Sequence, residues 1–187
     1  MTVTKTRKVK MLTKILAFVA KIVAKIQINY TRKIEVKEYE TLSLCDLRGC
    51  IILTYTPWAL GNLFIWGKYK HVEIIVDGLN TVGAVPEFVR RKHIIGIFRR
   101  SKRYVILLPK FATLDQRIRA SEVAEKLEGI PYDYEFNGGN KALYCSEVVL
   151  SCYRGIIKDM PDYGTYTRPI EFLKDKDNWE VVKGYRS

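Results

Sequence analysis

The amino-acid sequence predicts an α+β domain over residues 31–187, preceded by a basic amphipathic helix over residues 1–30. Three observations predict this. Short β-branched runs, Cys50–Tyr55, His71–Val76 and Tyr104–Leu108, are each closed by a proline or a turn. Helical spacing of apolar residues recurs over 113–128 and after Cys145. Charge is segregated. Residues 1–33 hold Lys5, Arg7, Lys8, Lys10, Lys14, Lys21, Lys25, Arg32 and Lys33 with no acid, which leaves +3 of the net +12 for the remaining 154 residues. With 48% hydrophobic and 28% charged residues in 187, the chain is globular in composition, which excludes wholesale disorder, collagen and repeat arrays. A chain of this length buries a core without disulfide staples.

At the N-terminus, Leu12, Ile15, Leu16, Val19, Ile22, Val23 and Ile26 fall on one helical face, and Lys10, Lys14, Lys21 and Lys25 stack on one side. Twenty residues make a helix of about 30 Å. The lysines exclude a plain membrane span, since each costs roughly 2.5–3.5 kcal/mol at mid-bilayer. A secretory signal is a poor fit, because the apolar run between Lys14 and Lys21 has six residues and no small-x-small site follows. Two readings suit the segment equally: a helix lying on an anionic membrane surface, or one docked on its own domain or within a protein assembly. Nucleic acid ranks third, because arms that bind it are usually less apolar.

In the body, residues 33–39 suggest a short exposed strand, and Cys50–Tyr55 a buried one ended by Pro57. Trp58–Phe64 suggests a short helix or aromatic loop. His71–Val76 is a strand, the turn Asp77-Gly78-Leu79-Asn80 follows, and Thr81–Val85 returns as a hairpin partner. Pro86 opens a predicted helix through Val89, and Arg90-Arg91-Lys92-His93 reads as a solvated cationic run. Tyr104–Leu108 is a strand, Thr113–Glu128 a helix stopped by Gly129, and Ile130–Phe136 an aromatic loop. A helix from Cys145 to about Ile157, a short one over Pro169–Lys174 and a strand at Trp179–Val182 complete the pattern.

Cys45, Cys50, Cys145 and Cys152 match no zinc or thioredoxin-type spacing, so no metal site and no cofactor is expected. Free thiols in a reducing compartment, cytoplasmic and membrane-associated, fit this usage. Cys145 is the candidate nucleophile. It sits where a loop becomes a helix, and the free N–H groups and positive dipole end there favour a thiolate and an oxyanion. Cys152 falls mid-helix and reads as packing. Of the two histidines, His71 heads a strand that would fix its direction, so it is the candidate base, whereas His93 lies in the cationic run. Glu73 falls on the same strand face as His71 and could orient the imidazole; a surface strand carboxylate would look the same in sequence.

Taken together these blocks resemble a family. Gly49-Cys50-Ile51-Ile52-Leu53-Thr54, Gly61–Lys68, His71–Val76, Gly129-Ile130-Pro131-Tyr132-Asp133 and Tyr144–Val149 are similar, in order, to the permuted papain-like amidases of the YaeF/YiiX branch of the NlpC superfamily, relatives of lecithin:retinol acyltransferase. Ordinary NlpC enzymes place Cys before His. Here His71 precedes Cys145 by 74 residues, as in the permuted form. The resemblance implies a circularly permuted papain-like α+β fold, an antiparallel barrel-like sheet packed on the nucleophile helix. It also implies Cys145 as nucleophile and His71 as base, cleaving or transferring an acyl group at an amide or ester. Two departures stand out. Cys50 occupies a position where the family has Asp. The acid or polar third residue usual about a dozen positions after the His is missing from Thr81-Val82-Gly83-Ala84, and Glu73, where a small residue is usual, is the candidate replacement.

The expected function is therefore a cysteine amidase, peptidase or acyltransferase acting on a peptidoglycan peptide or a lipid-linked substrate. Trp58, Phe64, Tyr132 and Tyr134 are candidates to line the cleft. The alternative is a catalytically impaired binding or structural component of an assembly that keeps the fold.

Overall fold

The computed structural model describes residues 31–34, 46–57, 65, 67–136, 141–164 and 166–186. The predicted N-terminal helix, most of the predicted strand at 33–39, Cys45, Trp58 and Phe64 lie outside these residues. The elements are β1 (Ile51–Tyr55), β2 (His71–Ile75), β3 (Asn80–Ala84), β4 (Val89–His93), α1 (Ile94–Arg100), β5 (Arg103–Pro109), α2 (Leu114–Lys126), α3 (Cys145–Arg154), α4 (Pro169–Lys174) and β6 (Trp179–Arg186). The strands form one antiparallel sheet in the order β4-β3-β2-β1-β5-β6. The β-branched runs fill its centre. Ile51, Ile52 and Leu53 of β1 are fully buried, as are Val72, Ile74 and Ile75 of β2.

Strand alternation divides the apolar residues between two cores. Ile51, Leu53, Val72 and Ile74 pack with Ala120 and Ala124 of α2 and with Val148, Val149 and Cys152 of α3. Cys50, Ile52, Ile75 and Ile106 pack with Ile94, Ile97 and Phe98 of α1 and with Tyr104. Phe98 stacks on Tyr104 at 4.4 Å. Helix α2 opens with a capping box, in which Thr113 Oγ1 accepts from Gln116 N at 3.3 Å and Gln116 Oε1 from Thr113 N at 2.9 Å.

Three sequence expectations change. The helix predicted from Pro86 is instead the approach to β4, because Val85–Val89 pairs with the loop after α2: Val89 N donates to Ile130 O and Gly129 N to Val89 O. The cationic run is therefore not one solvated stretch. It is an edge strand in which Arg90, Arg91 and His93 are exposed and Lys92 is half-buried, and His93 caps α1 by accepting from Ile95 N at 3.3 Å. The last strand runs on past Val182 to Arg186, with Lys183–Arg186 paired to Arg103–Ile106 of β5 beyond an irregularity at Val182.

Helix α3 is tied to the start of β1. Tyr153, fully buried, donates its hydroxyl to Gly49 O. Gly49 has φ +75°, and a Cβ there would lie 2.6 Å from Arg117 Cβ. Arg117 in turn donates to Asp46 O at 3.0 Å, Arg48 O at 3.1 Å and Cys50 Sγ at 3.3 Å. This is the use made of Cys50: a buried thiol accepting from a guanidinium where the two helices meet the sheet.

Candidate active site

Cys145 is the first residue of α3, and Tyr144 before it is extended at φ −94°, ψ 172°. The turn is held by Glu147, whose carboxylate accepts from Tyr144 N at 3.0 Å. The apolar stripe Val148, Val149 and Cys152 fixes the helix on β2, which brings its N-terminus to the His71 end of that strand. The Cys145 thiol is buried, with 3% exposure for the residue.

His71 is hydrogen-bonded on both sides. Its Nε2 donates to Glu73 Oε1 at 2.8 Å, which leaves Nδ1 for the Cys145 thiol. The imidazole keeps a quarter of its side-chain surface open, whereas Glu73 keeps 1%. The Glu73 carboxylate is completed from two further strands. Lys92 Nζ of β4 lies 2.5 Å from Oε1, and the Thr81 hydroxyl of β3 donates to Oε2. Room for it comes from Gly83, where a Cβ would lie 2.6 Å from Glu73 Cγ.

These contacts set the protonation states. Burial drives the Cys145 thiol up, but the hydrogen bond and charge of His71, the Val72 N–H and the Ser146 hydroxyl outweigh it and hold the thiol below its ordinary value. The Val72 N–H is available because the β2–β3 ladder pairs Ile74 with Val82 and Ile75 with Thr81 and has no pair at Val72. The Ser146 hydroxyl is fully buried and has no hydrogen-bond partner among the described residues. His71 is raised: burial opposes its charged form, and its hydrogen bonds with Cys145 and Glu73, together with the charge of Glu73, overcome burial and the repulsion of Lys92. Glu73 is held far below the usual carboxylate range, because Lys92 and His71 outweigh the cost of burial. Cys152 is pushed up by burial alone.

Around the sulfur lies an aromatic wall. Tyr132 is packed on Tyr134 with ring centroids 4.8 Å apart, and Phe136, Tyr144 and Tyr166 form a mutual cluster at 5.3–5.8 Å. Burial and the charge of Cys145 raise the phenols of Tyr132 and Tyr166, and Tyr144 is pushed up to about 12, chiefly by burial. The loop carrying Tyr132 is pinned at both ends, since Tyr132 N donates to Glu87 O at 3.0 Å and Leu143 N to Pro131 O at 2.9 Å. The Tyr134 hydroxyl accepts from Glu87 N at 3.0 Å.

The structure thus brings Cys145, His71 and Glu73 into one line with Tyr132 and Tyr134 nearby, while Trp58 and Phe64 fall outside the described residues. The sequence reading missed Lys92, Thr81, Tyr144 and Tyr166. Lys92 was legible once β4 was taken as a strand, because its register partner is Thr81, itself opposite Ile75.

Residues 47–177 match the family described as permuted papain-like amidase enzyme, YaeF/YiiX, C92 family. The chain belongs to this family. It is also similar to a crystal structure of metalloprotein yiiX from Escherichia coli O157:H7, with 17% sequence identity and a TM-score of 0.61 over 75% of this chain and 98% of that one. At that identity the likeness shows the fold, a permuted papain-like α+β architecture. No curated protein matches the chain. The name of that neighbour raises the question of a metal. Among the described residues no three His, Cys, Asp or Glu side chains are grouped to hold one, and the Glu73 carboxylate is already held by Lys92, His71 and Thr81. The site residues do not fit a metal ion. The family description supports an amidase or peptidase and gives no support to the acyltransferase option.

Proposed function

We propose that the chain is a cysteine amidase of peptide bonds, with peptidoglycan peptides or lipid-linked amides as substrate class. The observation that carries this reading is the Cys145–His71–Glu73 line: a thiol held low, an imidazole held high and a buried carboxylate on the far ring nitrogen. The Cys145 thiolate adds to the amide carbonyl carbon, and N–H groups at the start of α3 receive the developing oxyanion. As the tetrahedral adduct collapses, the C–N bond breaks and the imidazolium of His71 gives its proton to the departing amine. Water then loses a proton to neutral His71, its oxygen attacks the thioester carbon, and the Cys145–acyl bond breaks to regenerate the thiolate. Glu73 keeps the ring oriented throughout. The half-buried Tyr132 and the exposed Tyr166 supply an aromatic surface for the acyl side of the substrate, with buried Tyr144 packed behind Tyr166.

The reading of a catalytically impaired component rested on Gly83 in place of an acid and on Cys50; the contact of Glu73 with His71 supports the active reading against the first of these, and the second stands. The test is a panel of peptide amides incubated with the wild-type chain, Cys145→Ala and His71→Ala, with mass spectrometry for an acyl adduct. Turnover lost in both variants, and an adduct on Cys145, is the expected result. Full turnover in Cys145→Ala sinks the proposal.

For residues 1–30 the proposal is attachment to an anionic membrane surface. They lead into Arg32, whose N–H donates to Arg99 O at 2.8 Å and whose Nε donates to Ser101 O at 2.9 Å, beside exposed Arg99, Arg100 and Lys102. That anchor continues the basic segment into a basic corner of the domain. No helix among the described residues is long and apolar enough to cross a membrane.

A further inference from the structure

Glu73 is a carboxylate with 1% of its side chain exposed, and a lone buried anion is strongly disfavoured. Its nearest cation comes from an edge strand two strands away. Lys92 stands in register with Thr81 on β3, and its side chain reaches past that residue to Glu73 Oε1, the same oxygen that accepts from His71 Nε2. Thr81 takes the other oxygen. The Lys92 side chain itself is 25% exposed, so its ammonium keeps part of its hydration while closing the buried end of the line.

We propose that Lys92 is a positioning residue of this site: it clamps Glu73 Oε1 and offsets the carboxylate's charge, so that His71 is oriented by a neutralised pair rather than by a bare anion. The proposal rests on the catalytic reading of Cys145, His71 and Glu73. Its consequence is a less basic imidazole. An unneutralised Glu73 would hold the His71 proton too firmly to be released to a departing amine, and opposite charges at such distances move a titration by about 1–3 units. Repulsion from Lys92 does act against the charged form of His71. The other groups that bear on the ring and carboxylate are the Cys145 thiol of α3 and the Thr81 hydroxyl of β3. Neither of them replaces Lys92, because among the described residues no other lysine or arginine contacts Glu73, whose only other charged neighbour is the His71 ring that it orients.

The chain has two histidines. In a His93→Asn background, where Asn preserves a good helix cap, His71 gives the one imidazole signal by proton NMR. Lys92→Met should move its titration upward by about 1–3 units. Lys92→Gln, which keeps a hydrogen-bond donor without the charge, should move it in the same direction, and Lys92→Arg should leave it near the wild-type value. A merely structural lysine would change stability and leave the titration in place. An unmoved or lowered titration in a folded Lys92→Gln protein overturns the proposal. Cys145→Ala is the separate control: if it leaves the His71 titration unmoved, the thiol–imidazole reading itself fails, whatever the Lys92 variants do.

Discussion

Glu73 fills the space that a side chain at position 83 would need: a Cβ on Gly83 would lie 2.6 Å from Glu73 Cγ. The two residues sit across neighbouring antiparallel strands, so one carboxylate can reach His71 from either strand but not from both. Gly83→Ala is therefore expected to push Glu73 off the imidazole, costing about 1–3 kcal/mol of stability and much of the turnover. Glu73→Gly should lose turnover by roughly 10²–10⁴-fold. The exchange Glu73→Gly with Gly83→Glu should recover a large part of it. Kinetics on the four proteins check this, and an exchange variant no better than either single change would count against it.

The thiols should separate sharply in reactivity. Cys145 is held below the ordinary thiol value, so it carries more thiolate at neutral pH; Cys152 is raised by burial and carries almost none. Alkylation with iodoacetamide at pH 6–8, followed by peptide mapping, should label Cys145 at least tenfold faster than Cys152. In His71→Ala the Cys145 rate should fall at pH 6, where the lost imidazolium no longer favours the thiolate.

Stability should fall on the acid side in a way that depends on Glu73. Its folded carboxyl is far more acidic than its ordinary value of 4.5, so its contribution is complete above that pH and is lost as pH falls toward the folded value. His71 has the opposite sign: raised above 6.5 in the fold, it stabilises fully below that pH and stops doing so as pH rises through the folded value. Urea unfolding from pH 3 to pH 8 should show a shallower acid slope for Glu73→Gln than for wild type.

Full-length protein should sediment with anionic vesicles at low salt and release as salt rises, and deleting residues 1–30 should abolish the effect. Each lysine near the surface is worth about 1 kcal/mol. Protein that stays in solution with anionic vesicles at low salt would end that proposal.

The central strands and the nucleophile helix were legible because their signals are local. Ile51–Leu53 and Val72–Ile75 are β-branched and bounded by turns, and Cys145 follows a loop and precedes an apolar stripe. Cys145 and His71 were each nominated from their place in the chain, as a residue at a loop-to-helix junction and as a strand histidine, and the resemblance added their order in the permuted family, since nothing local links positions 74 apart. The misreading after Pro86 has a tertiary cause. Val89 is a strand residue because Ile130 and Gly129 hydrogen-bond to it, and those partners lie some forty residues on. The error carried over to Lys92, which in a solvated run means nothing and in an edge strand faces Thr81 and Glu73. Whether Glu73 was surface or core could not be read from its own strand either, because the space it occupies is set by the absence of a side chain at Gly83.

The order of the two reacting residues along the chain has a consequence during synthesis. The sheet strand bearing His71 leaves the ribosome well before the helix that begins at Cys145. On the proposed mechanism, any product that terminates before residue 145 lacks the nucleophile, and the pair first exists once α3 has docked on the sheet. An arrangement of this kind, on that same mechanism, defers reactivity until the nucleophile helix has been made, without needing a separate inhibitory segment.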